Sequence, residues 1–263
     1  MSALRLGCDL SHVFCAKQAG IPIKCYSPDL IVHPYFEEGD PSAHQATIEK
    51  MRSWLPRLTS LVVGPGLGQD PEMWALAADI VALAREQQLP IILDGDAISL
   101  VCRRPELVRG YPRAVLTPNF NEFKRLISHL VAEAEVAQGA DPLLLLYRAL
   151  GGPTIIQKGA EDRIVDGDGV VTVALEGSPR RCGGQGDLLA GTLGVFTHWV
   201  PTVQGDHPDR PMLRAAQCAA LVTRTCSRLA FARSGRAMTA QEMVALVPEA
   251  LTACEGLALG GGC

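Results

Sequence analysis

Apolar positions change their spacing repeatedly along the chain, and each change marks an element. From Met73 onward, Leu76, Ala77, Ile80, Val81 and Ala84 recur at steps of three and four, the spacing that lines one face of a helix with apolar side chains. The preceding Asp70-Pro71 pair predicts the helix start, because aspartate accepts from free first-turn N–H groups and proline has no N–H to leave unpaired. Upstream, 58–64 ends in the strand-like Leu61-Val62-Val63. Downstream, 89–97 lacks polar alternation and predicts a strand covered on both sides, with a turn at Asp94-Gly95-Asp96. Another strand over 113–123 is cut by Pro118; a helix follows through about His129, a second covers 142–150, and 153–159 is again a short apolar strand.

Repeated strand-helix-strand units predict one mostly parallel sheet with helices on both faces. At 161–175 two β-type runs flank Asp166-Gly167-Asp168-Gly169 and predict a hairpin. An almost wholly apolar helix is expected over 188–199, and two more at about 212–233 and 239–252. The last residues, about 255–263, are expected to fray.

Composition narrows the classes of function. With 263 residues and no linker of distinct composition, a single large α/β domain is expected. Hydrophobic residues make up 48% and charged residues 20%, which excludes wholesale disorder. The net charge of −4 argues against general affinity for nucleic-acid backbones, and the Arg103-Arg104 and Arg180-Arg181 pairs read as solvated surface. Nine cysteines form no C-x-x-C pair and are odd in number, so neither a zinc ribbon nor a secreted disulfide framework is suggested. No apolar run approaches the roughly 18 residues of a membrane span, and the first residues carry no signal or transit pattern. A reduced, cytoplasmic setting without membrane or nucleic-acid partners is expected. His12, His33 and His198 lack partners at metal-ligand spacing and are read as core or surface residues. The helix bearing Arg214, Arg224 and Arg228 is a candidate assembly face for a homo-oligomer.

Candidate chemistry concentrates where Gly183, Gly184, Gln185 and Gly186 run into Asp187 ahead of the apolar helix. A helix start leaves backbone N–H groups unpaired and carries partial positive charge, so glycines there let an anion approach bare amides. Such a corner can hold the charge of a phosphoryl group in transfer. Asp187, kept ionised by the same dipole, could take the proton of an attacking hydroxyl. A glycine turn capped by aspartate is the plain alternative, but the helix behind it is apolar nearly all round and carries Gly191 and Gly194. That marks a buried, central element, where an idle carboxylate is out of place. No Gly-Lys-Ser/Thr follows, so this is not a Walker loop.

Three other stretches carry two readings each. Gly64, Gly66 and Gly68 follow a strand and precede a helix, but Gln69 breaks the Rossmann spacing; the loop is a structural turn or faces a ligand. Asn119 and Glu122 form a capping box by local sequence, or a ligand-facing pair, or both. Lys158 and Gly159 end a strand, where a lysine meets water or a phosphate.

"GGQGDLLAGTLG" resembles the anion-hole and catalytic-aspartate segment of ribokinase-fold enzymes, and its wording is similar to that of the ATP-dependent NAD(P)H-hydrate dehydratases. "DLSHVFC" with "YSPDLIVHP", "VVGPGLGQD", "LTPNFNEFKRL" and "QKGAEDRIVDG" match the same family in order, over essentially the whole chain. The resemblance implies a ribokinase-like, three-layer α/β/α fold. It implies ATP- and Mg²⁺-dependent return of hydrated NADH and NADPH to NAD(P)H, and functional pairing with an NAD(P)H-hydrate epimerase. It implies Asp187 as catalytic base. ATP would lie on Lys158, Gly159, Ala160, Glu161 and Asp162, and on Gly177, Ser178, Pro179, Arg180, Arg181, Cys182, Gly183, Gly184, Gln185 and Gly186. The substrate would meet Gly68, Asn119, Phe120, Asn121, Glu122, Phe123, Lys124, Arg125 and Asp187. Mg²⁺ would arrive with ATP, with Asn119 and Glu122 helping to organise it. Relatives usually carry a further segment with a Y-x-G-A stretch ahead of "SALRLGCDL", so the sequence is expected to be a short form. A kinase of a vitamin-like alcohol, or a catalytically silent nucleotide-binding isoform, would leave similar motifs.

Overall fold

Strands β3 (Leu61–Val63), β4 (Ile91–Leu93), β5 (Ala114–Leu116) and β6 (Thr154–Gln157) lie side by side in chain order and pair in parallel. The hairpin of β7 (Asp162–Val165) and β8 (Val170–Val173) extends the same sheet antiparallel. The computed structural model describes residues 1–37, 43–133, 136, 139–202 and 210–260. Within them β1 (Ser11–Ala16) and β2 (Leu30–Phe36) form a separate two-stranded parallel sheet, where the sequence reading expects one sheet.

Three consecutive apolar residues can stand in a strand only if both faces are covered, because successive side chains point to opposite sides. Ile91 and Leu93 enter one core, and Ile92 enters the other. The same alternation divides Leu116 from Val115 and Ile155 from Ile156. The first core is shared with α3 (Ala43–Trp54), α4 (Pro71–Glu86), α5 (Asp96–Arg103), α6 (Phe120–Leu130) and α7 (Pro142–Leu150). The second takes side chains from α1 (Ser2–Leu6), α8 (Gln185–Thr202), α9 (Pro211–Ser234), α10 (Ala240–Ala245) and α11 (Val247–Gly260). The result is helix, sheet, helix in three layers. Helix α2 (Lys17–Lys24) packs on β2.

Helix α4 begins as its sequence requires. The Asp70 carboxylate accepts from the Glu72 and Met73 N–H groups, both at 2.9 Å, and Met73, Leu76, Ala77, Ile80, Val81 and Ala84 are all buried. Each large aliphatic side chain so buried contributes about 1.5–3 kcal/mol.

Two helices depart from expectation. The apolar helix starts at Gln185, three residues before Leu188, because Gly184 makes the turn with φ +88° and leaves Gly186 and Asp187 inside the first helical turn. The helix expected at 239–252 is two, α10 and α11, separated at Leu246. Pro248 lacks an N–H, and its ring would crowd the carbonyl of the preceding turn, so α10 cannot continue through it. Helix α11 runs on to Gly260, past the predicted start of fraying; 261–263 lie outside the described residues.

Candidate active site

Parallel strands bring their carboxyl ends to one edge of the sheet, where the chain leaves the ladder and can meet a ligand. The residues directly after β3, β4, β5 and β6 are Gly64, Asp94, Thr117 and Lys158. Asp94 N–H donates to the Val63 carbonyl and Thr117 N–H to the Leu93 carbonyl, both at 3.1 Å, so this row stays in register with the sheet. Asp94 is only 3% exposed. Its Oδ1 accepts from the Thr117 hydroxyl at 2.7 Å and from Lys158 Nζ at 2.6 Å. Gly64 has φ +118°, and a Cβ there would stand 1.8 Å from the Asp94 carbonyl oxygen; only glycine fits.

Helix α8 aims its start at this row. Its first helical bond runs from Leu188 N–H to the Gly184 carbonyl at 3.0 Å, which leaves the Gln185, Gly186 and Asp187 amides without intrahelical acceptors. A Cβ on Gly186 would lie 3.2 Å from Asp94 Oδ2 and 3.5 Å from Lys158 Nζ. The corner therefore has bare amides on one side and the Lys158–Asp94 pair on the other, and the amides together with the ammonium are groups that can receive an anion.

Asp187 is open to solvent along one side, yet the protein around its carboxyl group pushes its pKa up by removing water, and Asp94 raises it further while Lys158 opposes. The helix dipole alone predicts the reverse; burial and the neighbouring carboxylate decide the sign. A carboxylate of raised pKa is the better proton acceptor.

Glu122, 8% exposed, faces the same field. Burial pushes its carboxyl pKa up, the Asn119 N–H and Lys158 pull it down, and Asp94 raises it. Lys158 is thus coupled to three carboxylates, those of Asp94, Asp187 and Glu122. The capping box exists: Asn119 Oδ1 accepts from the Asn121 and Glu122 N–H groups, and Glu122 Oε2 accepts from Asn119 N–H at 2.7 Å. Phe120 is 56% exposed beside Lys124, whose Nζ lies 4.5 Å from the ring centre. Asn121, Lys124 and Arg125 are exposed, whereas Phe123 is buried in the first core. Gly68 N–H donates to Asp96 Oδ2 at 3.0 Å, and Trp74 Nε1 donates to the Gly68 carbonyl at 2.7 Å.

The two segments expected to carry ATP are anchored on α9. Arg224 donates to Asp162 Oδ2 at 2.7 Å and to the carbonyls of Gly159, Ala160 and Leu175, while Gly159 N–H donates to Asp162 Oδ1. Ser178 shares a 2.7 Å hydroxyl bond with Ser227 and donates to the Arg180 carbonyl. Gln185 Nε2 also reaches Ser227, and the Cys182 thiol meets the Met243 sulfur. Gly177 lies close to Arg224 and Ser227. Ala160, Glu161, Pro179, Arg181 and Gly183 are exposed.

Arg224 corrects one expectation. It is buried, 8% exposed, and so cannot belong to an assembly face with Arg214 and Arg228, which are exposed. His12, half-buried, and His33, buried, bond to each other at 2.9 Å and stack with Phe14, beside Tyr35 and Trp54, a packing role on the two-stranded sheet. Among the described residues, no group of three or more His, Cys, Asp or Glu could hold a metal ion, and no helix is long and apolar enough to cross a membrane.

Sequence reasoning missed Asp94, Thr117, Arg224 and Ser227 as members of this site. For Asp94 and Thr117 a signal exists: each is the first polar residue after an all-apolar parallel strand.

A family profile described as NAD(P)H-hydrate dehydratase matches residues 1–249. The ATP-dependent (S)-NAD(P)H-hydrate dehydratase of Rattus norvegicus is 43% identical over 255 residues, which cover 96% of this chain and 73% of that protein. Among solved structures, a hypothetical protein of Streptococcus mutans superposes with TM-score 0.72 at 20% identity, covering 96% of this chain and 83% of the other. A ribokinase-like superfamily protein of Enterococcus faecalis gives TM-score 0.68 at 22% identity, covering 96% and 80%. At those identities the structures speak for the fold, which is ribokinase-like, whereas the profile and the rat relative speak for descent: the chain belongs to the NAD(P)H-hydrate dehydratase family.

Proposed function

We propose that this chain uses ATP to dehydrate (S)-NAD(P)H hydrate, returning NAD(P)H with ADP and phosphate. The observation that carries the reading is one corner in which Asp187, the amides of Gln185 to Asp187 and the Lys158–Asp94 pair converge. The triphosphate lies over Lys158 to Asp162 and Gly177 to Gly186, with its terminal phosphoryl against the bare amides. The hydroxyl added by hydration gives its proton to Asp187 while its oxygen bonds to the γ-phosphorus and the bond to ADP breaks. Electrons from the ring nitrogen then expel phosphate from the ring carbon. The neighbouring carbon loses a proton, which phosphate takes, and the ring double bond returns. Gly68, Asn119 and the exposed Phe120, Asn121, Lys124 and Arg125 border the substrate.

Mg²⁺ would come with the triphosphate, and Asn119 and Glu122, whose side chains cap α6, are the residues that would help to organise it. When bound it supplies positive charge against the phosphoryl oxygens. Action on one epimer calls for an epimerase to supply it from the other, and a cytoplasmic site is the matching proposal for location. An assembly through the exposed Arg214 and Arg228 is the remaining proposal for a homo-oligomer.

The test mixes the chain with hydrated NADH, ATP and Mg²⁺ and follows reduced-nicotinamide absorbance. Recovery only with ATP is expected. A stable phosphate ester would point instead to a kinase of an alcohol, and ATP binding without turnover to a silent isoform; either overturns the reading.

A further inference from the structure

We infer that Asp94 is a positioning residue of this site: through Lys158 it fixes the ammonium at the corner of bare amides where the phosphoryl group is transferred. The inference rests on the proposed ATP chemistry and assigns a role to a side chain outside the family-matched motifs named above.

The physical case begins with burial. A carboxylate at 3% exposure is unfavourable unless it is paired and hydrogen-bonded, and the strand leading to it, Ile91 to Leu93, is apolar throughout. An apolar residue in its place would carry no such cost of burial. Asp94 is instead held on two sides. Thr117, fully buried, donates its hydroxyl to Oδ1 at 2.7 Å, and the Asp94 backbone is locked against Gly64. Lysine is the opposite case, a point charge on a flexible stem with many rotamers. Its 2.6 Å bond to the same Oδ1 removes that freedom before any ligand arrives. The direction is set as well: the space beside Gly186 is bounded by both Lys158 Nζ and Asp94 Oδ2, so the ammonium is held where a phosphoryl group resting on the α8 amides would meet it.

Asp94→Asn keeps the shape and an oxygen acceptor for Thr117 and Lys158 but removes the charge. A structural role would be rescued by this variant. A positioning role would not, because the charged pair that holds Lys158 is reduced to a weaker neutral-acceptor bond, and kcat is expected to fall at least tenfold while KM for ATP moves less than threefold. A double-mutant cycle with Lys158→Met identifies the route: once Lys158 is gone, adding Asp94→Asn should lower kcat no further. The same cycle, read as Kd for a non-hydrolysable ATP analogue with Mg²⁺, needs no turnover and survives failure of the functional reading. There Lys158→Met exposes the phosphates to an unpaired Asp94, and adding Asp94→Asn should recover at least fivefold of the lost affinity. Parental kcat in Asp94→Asn, or independent, multiplicative effects in the binding cycle, would overturn the inference.

Discussion

Arg224, in the middle of α9, reaches under the sheet edge to Asp162 at the head of β7, bonding Nε to Oδ2 at 2.7 Å with side chains only 10% and 12% exposed. One guanidinium therefore holds the first segment proposed to carry ATP, through the carbonyls of Gly159 and Ala160, and the chain just ahead of the second, through the carbonyl of Leu175. Removing one partner of a buried pair leaves the other charge uncompensated, which costs about 3–5 kcal/mol. Arg224→Leu is expected to lose stability on that scale in urea unfolding. A loss below about 1 kcal/mol would mean that water reaches Asp162 and screens the pair.

The pH dependence follows from Asp187. To accept a proton it must be ionised, and burial together with Asp94 lifts its pKa above the usual aspartate value. Activity should therefore decline on acidification at a higher pH than an ordinary aspartate would give. Asp187→Asn should lose about 10²- to 10⁴-fold in kcat and lose this limb. Stability runs the other way. The folded chain holds these protons more tightly than the unfolded one, so Asp187 and Glu122 favour folding at low pH, and the contribution fades as pH rises through their raised values. Relative to Asp187→Asn, the parental chain should lose stability with rising pH in denaturation series; a gain would contradict the assignment.

Gly186 separates folding from function. Alanine is favoured over glycine in a helix by up to about 1 kcal/mol, but its Cβ would stand 3.2 Å from Asp94 Oδ2 and 3.5 Å from Lys158 Nζ. Gly186→Ala is expected to keep or raise the melting temperature while kcat falls at least tenfold. Parental turnover would show that the phosphoryl group does not use this space.

Gly64 has no such tolerance. At φ +118° with the Asp94 carbonyl 1.8 Å from its missing Cβ, Gly64→Ala must move backbone, and it should cost at least about 2 kcal/mol. Equilibrium unfolding checks this; a change within about 0.5 kcal/mol would show that the loop relaxes freely.

Much of this was readable because local rules and tertiary demands agree. Asp70 caps α4, Asn119 and Glu122 cap α6, and the Asp166 to Gly169 turn closes β7 and β8, each by chemistry contained within a few residues. Asp187 was legible as a candidate from the glycines before it. Asp94 was not, since its importance comes from burial and from Thr117 and Lys158, which lie far along the chain. Arg224 looked like surface for the same reason: a charge and a helical period do not reveal that a carboxylate waits beneath. The division of 239–252 was legible in principle at Pro248, and the early start of α8 was hidden because glycine normally argues against a helix that Gly186 nevertheless joins.

Adjacent positions in one central strand answer to different masters. Ile92 shares its core with Leu188 and Leu189, one turn into the helix that opens with the proposed base, whereas Ile91 and Leu93 sit with the helices of the opposite layer. A truncation scan along β4 should thus sort by parity: hollowing out Ile92 would loosen the footing of Asp187, and hollowing out either neighbour would disturb the helices of the opposite layer. The sheet works as a partition wall, and damage on one side need not be heard on the other.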